Sequence, residues 1–387
     1  MMWPLMPNTV GFWDRLALAQ FILTNDRLTN GPQVKQFEQA WNHWLGSDQS
    51  LMVSSGSTAN FLLLASVKEL YKIPTGAKVL LPACTWVTNV APVLQLGFTP
   101  IFCDVNLENF SFDPEHMRMI AHTHPDIALV FVTHLLGFAA PQDEIRNLWP
   151  NAIILDDVCE SHGAQFDNLE KVGSHSVGAT FSFYWGHHIT TIEGGMISTC
   201  NPELHELMRI KRSHGLAREG KRLTEYAAET PHIDPQFLFV TDGYNFRSSE
   251  INAVLGLRQL KQLDHIIQVR KNNYAQFVAM INKKSDWFLP LAANPHNSSF
   301  CLPFLCKSPE RLAHLKTQLT QAGVEHRPIV GGNLMRQPFL RGHDWGAPLP
   351  THTSNADILN DCGCYIGNNH FVKPDQLTKL QSILDSL

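Results

Sequence analysis

Short apolar runs of strand length, each parted from the next by a stretch of helical pattern, fill the first two-thirds of this sequence. SGSTANFLLLASVKEL (Ser55–Leu70) has helical spacing with Ser and Thr at its start, and AKVLLPA then has strand character. APVLQLG predicts a helix and TPIFCDV a strand. IALVFVTH (Ile127–His134) predicts another strand, followed by a helical stretch ending near Trp149 and the strand AIILDD. Alternation at these lengths predicts an α/β domain with a largely parallel sheet, because parallel neighbours need a crossover that a helix supplies. Such sheets bind ligands beyond the carboxyl ends of their strands. Thr85–Trp86, Asp156–Asp157 and His187–His188 all fall there.

The pattern changes at Ile251. One long helical stretch, INAVLGLRQLKQLDHIIQVRKNNYAQFVAMI, leads into strand-like FCLPFLC and the helical PERLAHLKTQLTQAG and PDQLTKLQSIL. At 387 residues the chain accommodates one large domain and a smaller one. Residues 1–250 are expected to form the large cofactor-binding domain and 251–387 a small α+β domain. No repeats or low-complexity segments interrupt either part.

A net charge of -5 argues against a nucleic-acid footprint, which needs clustered positive charge. No apolar run approaches the roughly 20 residues of a membrane helix, and the N-terminus lacks the basic and apolar regions of a secretory signal. The eight Cys stand singly, apart from Cys362 and Cys364, and suit buried thiols in a reducing cytoplasm. Nineteen His keep proton chemistry open.

Three local features allow chemistry without dictating it. SSGSTAN at a helix start offers backbone N–H groups and a positive dipole end to a phosphate, though Ser and Thr there also serve as plain caps. Asp157, at the end of a buried strand, fits a partner for a protonated ring nitrogen, and equally a helix cap or a structural ion pair. Trp86 fits a stacking platform or ordinary core.

Taken together and in order, SSGSTAN, PACTW, LDD, the loop led by Ser182 and DGYNFRSSEINAVLGLRQLKQLD resemble the DegT/DnrJ/EryC1/StrS family of pyridoxal-phosphate sugar aminotransferases. LTNGPQVKQFE and GGNLMRQPF extend the resemblance from about Leu28 to the last helix. It implies the type I (aspartate aminotransferase) fold and a homodimer whose subunits share active sites. It places Gly56, Ser57 and Ser182 on the cofactor phosphate, Trp86 on the pyridine ring and Asp157 at its nitrogen. Asn245 would reach the phosphate in the other subunit. Asp26, Arg27, Leu28, Thr29, Arg218 and Glu325 would lie near a nucleotide sugar, and His214 and Arg247 near the amino donor.

The sequence departs from the aminotransferase pattern at two places. Counted from Ser182, the position of the lysine that binds the cofactor covalently is His187, and ITTIEGG continues without a gap. Imidazole cannot take over that bond, but it moves protons near neutral pH. Glu160 stands where Gln or His is usual near the cofactor's phenolic oxygen. Both changes resemble the sugar 3-dehydratase branch, which works with pyridoxamine phosphate. The resemblance implies loss of the C3 hydroxyl from a nucleotide-linked 4-keto-6-deoxy hexose, with GDP-4-keto-6-deoxy-D-mannose as expected substrate. His187 would be the base, the coenzyme would end as pyridoxal phosphate, and L-glutamate would re-aminate it. An iron–sulfur version is not expected, since LAREGKRLTEYAAETPHIDPQF, where the thiolates would cluster, has no Cys. No metal site is expected. Two other readings stay open: a binding protein without turnover, and an aminotransferase that borrows Lys171 or Lys211.

Overall fold

In the computed structural model, which describes residues 2–343 and 354–387, the apolar runs become ten strands. These are β1 (Gln49–Val53), β2 (Lys78–Pro82), β3 (Thr99–Cys103), β4 (Leu129–Thr133), β5 (Ile153–Asp157), β6 (Gly178–Ser182), β7 (Gly195–Thr199), β8 (Cys301–Leu305), β9 (His326–Arg327) and β10 (Gly363–Gly367). Seven make one sheet in the order β1-β7-β6-β5-β4-β2-β3, and β8-β10-β9 make a second. The larger sheet is parallel from β6 to β3, while β7 runs antiparallel to both its neighbours. That one reversal follows from the short Ser182-to-Gly195 connection, too brief for a crossover helix.

The central strands are buried throughout, as strands covered by helices on both faces must be. The helix Gly56–Leu70 lies on one side with Leu62, Leu63 and Val67 in the sheet core. The helix Pro32–Leu45 covers the other with Phe37 and Trp41. The predicted helix in APVLQLG is observed as Val87–Gln95, entered through Trp86.

The long pattern after Ile251 is two helices, Glu250–Leu260 and Leu263–Ile281. Ala253 of the first belongs to the core around Phe37 and Trp41. The second reaches both cores: Leu263, Ile266 and Ile267 lie in the core of Phe37 and Trp41, while Tyr274, Phe277 and Ile281 join the core of the smaller sheet with Leu302 and Phe304. The start of the chain also joins the smaller sheet: Trp3 bridges Val324, and its indole donates to the carbonyl of Gly367 at 3.0 Å. No helix among the described residues is long and apolar enough to cross a membrane.

Candidate active site

β6, β5 and β4 lie side by side and end together at Ser182, Asp157 and Thr133. A cavity of about 710 Å³ opens at those ends. Its wall holds Gly56, Ser57, Trp86, Asp157, Glu160, Ser182, His187 and Glu325 of the residues singled out by sequence.

Gly56 begins its helix, with Ser55 capping it by accepting the Thr58 N–H at 3.1 Å. Gly56 and Ser57, whose N–H groups have no partner within the helix, line the cavity together with Ser182. Space here is tight: a Cβ on Gly56 would lie 2.7 Å from Cβ of Ser182 and 3.1 Å from Sγ of Cys159. Gly195 serves the same closeness from below, since its added Cβ would meet the Ser55 carbonyl oxygen at 2.4 Å. The Gly-Gly pair is thus a point of close approach. The left-handed residue of that turn is Ile192 (φ 72°), held by Asn252, which donates to the carbonyls of Thr191 at 2.7 Å and Glu193 at 3.0 Å.

Asp157 is buried and receives three donors: Asn60 Nδ2 and Asn89 Nδ2 on Oδ2, each at 2.9 Å, and the Cys159 N–H on Oδ1 at 2.9 Å. An ionised carboxylate accepts only, so three converging donors suit that form. Glu160 behaves differently. Burial pushes its pKa up to about 7, although Leu136 donates its N–H to Oε2 at 3.1 Å.

His187 follows β6 at the cavity edge, its ring 5.4 Å from that of Phe300 and its N–H bonded to the Tyr184 carbonyl at 3.1 Å. Burial, and then the positive charge of Arg270, lower its pKa to about 4, so the imidazole is neutral at pH 7 and able to accept a proton. Its neighbour His188 is fully buried and tied through Nε2 to the carbonyl of Ser298 at 3.0 Å. No lysine lines the cavity among the described residues. Lys211 is engaged by Glu69 and Asp242, and Lys171 lies over the ring of Trp44.

The remaining predicted residues stand outside this cavity. Asn245, Arg247 and His214 form an exposed group in which Arg247 Nε donates to Asn245 Oδ1 at 3.1 Å and Nη2 approaches His214 Nε2 at 3.4 Å. Asp26, Arg27 and Thr29 are exposed and Leu28 half-buried on the loop before the helix Pro32–Leu45, and Arg218 donates to the Gln236 carbonyl. Sequence reasoning missed Asn60 and Asn89, although Asn60 stands inside the quoted SSGSTAN. It also missed Arg327, two residues beyond Glu325, and the N-terminal Leu5 and Met6, all of which line the cavity. The pairing of Glu325 with Arg327 on one wall was available from their alternation; Leu5 and Met6 carried no local signal.

The DegT/DnrJ/EryC1/StrS aminotransferase family model matches residues 14–362. This chain belongs to that family. Within it, the chain is 32% identical to GDP-4-keto-6-deoxy-D-mannose 3-dehydratase of Yersinia pseudotuberculosis over 98% of each protein. Among solved structures it resembles a GDP-4-keto-6-deoxymannose 3-dehydratase variant with bound GDP-perosamine (TM-score 0.90, 29% identity, 99% of this chain and 100% of that one). The same dehydratase with a trapped adduct of pyridoxal phosphate and glutamate has a TM-score of 0.85 and 28% identity, covering 99% of this chain and 100% of that chain. The members of this family are pyridoxal-phosphate enzymes, and the glycine-floored cradle, the helix N-terminus and the buried Asp157 of this chain fit that cofactor.

Proposed function

We propose that this protein removes the C3 hydroxyl of a nucleotide-linked 4-keto-6-deoxy hexose, GDP-4-keto-6-deoxy-D-mannose, giving the 4-keto-3,6-dideoxy sugar with L-glutamate as amino donor. One observation carries the reading: the cavity that suits the cofactor presents His187, and no lysine, as its proton carrier. Pyridoxamine phosphate, when bound, supplies an amine for the C4 ketone and an electron sink joined to it.

This chain's residues do the rest. Gly56, Ser57 and Ser182 hold the phosphate, through N–H groups at a helix end and a hydroxyl. Asp157, fixed by Asn60 and Asn89, faces the ring nitrogen and keeps it charged. Trp86, 54% exposed at the cavity edge, gives a flat apolar face to the ring. The neutral His187 imidazole takes a proton and returns it to the departing hydroxyl. Glu160, poised near neutrality, holds or releases a proton in the same cavity. Arg327 and Glu325 orient polar parts of the substrate.

We assign Asn245, His214, Arg247, Arg218 and the Asp26–Thr29 loop to the site of a second copy. The support is an exposed apolar surface rare on a monomer: Phe12, Trp13, Leu16 and Leu23 on one helix, with Ile192, Phe237 and Phe239 elsewhere. A large unit from residue 1 to 250 and a small one from 251 to 387 would then meet at the cavity. A cytoplasmic setting goes with eight cysteines that are all free thiols.

The deciding experiment is mass spectrometry of the product from GDP-4-keto-6-deoxy-D-mannose with pyridoxal phosphate and glutamate. A sugar lighter by one oxygen, with ammonia released, is expected. A 4-amino sugar, or no turnover by a folded, cofactor-loaded protein, would overturn the assignment.

A further inference from the structure

Behind His187 the helix Leu263–Ile281 carries a fully buried arginine with no carboxylate partner among the described residues. Arg270 Nη1 donates to the Phe300 carbonyl at 2.7 Å and to the Ser299 carbonyl at 3.4 Å, and Nη2 donates to the His187 carbonyl at 3.4 Å. Nε has no partner. The same guanidinium thus fixes the backbone of His187 and of Phe300, the residue whose ring lies against the imidazole. Asn368, itself on the cavity wall, locks the far side by donating to the carbonyls of Arg270 at 3.0 Å and Ser299 at 3.3 Å. A buried charge without a counter-charge is costly, and here it is retained beside a base that must be neutral.

We propose that Arg270 is a positioning residue for His187, clamping the loop that carries it against Phe300 and, by its unpaired charge, keeping the imidazole free to accept a proton. Burial lowers the guanidinium's own pKa only to about 9, so it remains a cation at neutral pH. Other groups around His187 do not duplicate it. His162 and His188 are buried imidazoles held neutral by burial. Cys301 and Tyr365 are pushed up by burial and stay uncharged. The Cys159 backbone, hydrogen-bonded to the His187 ring, acts with the opposite sign, favouring the imidazolium. Arg270 is the cation that opposes it.

The proposal rests on the dehydratase reading for its purpose, and so does its kinetic readout, but its titration does not. In cofactor-free protein labelled with ¹³C-histidine, the His187 resonance is assigned by its loss in His187→Asn and titrated with pH. In Arg270→Gln and Arg270→Met the midpoint should rise by a factor of about ten in proton affinity, one pH unit. In Arg270→Lys, which keeps the charge and loses the fork, the midpoint should stay at its original value while kcat falls and KM changes little. An unchanged midpoint in a folded neutral variant would overturn the electrostatic role. An equal rise in all three would reduce Arg270 to a structural part. If neither neutral variant folds, the Lys variant decides: a retained midpoint with lowered kcat supports the proposal, and a raised midpoint sinks it. Failure of the dehydratase reading would appear separately, as a wrong product from the unaltered enzyme.

Discussion

Replacing Asp157 by Asn isolates the charge that faces the cofactor ring while keeping the side chain's size. The structure sets the cost. If the new amide keeps its oxygen at the Oδ2 position, Asn60 and Asn89 retain their acceptor at 2.9 Å, but an NH2 group now faces the Cys159 N–H. Turned the other way, it loses two acceptors to save one. The first arrangement is the cheaper, and it sets two donors, the Cys159 N–H and the new NH2, against each other, at about 1–3 kcal/mol for an unsatisfied donor. Two bonds also weaken from charged to neutral, while removal of a buried charge returns part of that loss. The expected fall in unfolding free energy of the cofactor-free protein is therefore about 1–3 kcal/mol. Urea titration at pH 7.5 measures it, with the slope unchanged from wild type. Cofactor should still bind through Gly56, Ser57 and Ser182, but dehydration should fall by about 10²-fold or more, the scale for losing one charge-stabilising group. A variant as stable as wild type would show that the three donors are not organised around a carboxylate. Undiminished turnover would remove Asp157 from the ring nitrogen.

Further tests address single parts of the site. His187→Asn should keep cofactor affinity and lose about 10²–10⁴-fold in dehydration, the range for a missing general base; if His188→Asn is the damaging change instead, the proton carrier is misassigned. Gly56→Ala places a methyl 2.7 Å from Ser182 Cβ, so cofactor affinity by fluorescence titration should drop and stability fall by about 1–3 kcal/mol; wild-type affinity would mean that the phosphate does not sit there. The cofactor-free protein should lose stability as pH falls from about 6.5 to 4. In that window the unfolded chain protonates His187, His205 and His370 while the folded chain, in which burial lowers each to about 4, does not. Glu160, raised by burial to about 7, and Glu38, also raised by burial, work the other way by favouring the folded state as pH falls, but burial lowers His116, His162, His188 and His326 as well, so the histidines outnumber them. Urea midpoints that rise on acidification would refute this balance.

The order of apolar runs and helical patterns was enough to give the α/β class, the mostly parallel sheet and the strand ends where Trp86, Asp157 and His187 gather. Those are short-range signals, fixed by periodicity within a dozen residues. The substitution of imidazole for lysine was equally legible, because it needs only a count from Ser182. Pairings across long stretches of chain were not. Asp157 is fixed by Asn60, 97 residues away, and His187 by Arg270, 83 residues away. Nothing local marks either partner, since an Asn in a helix and an Arg in a long amphipathic pattern both pass for surface residues until packing buries them. The break between Leu260 and Leu263 was hidden because the sequence on both sides of it has helical spacing. Proton affinities belong wholly to the tertiary structure. His187 and Glu160 have ordinary side chains, and it is their burial, with Arg270 beside one of them, that leaves the imidazole neutral and brings the carboxyl near neutrality.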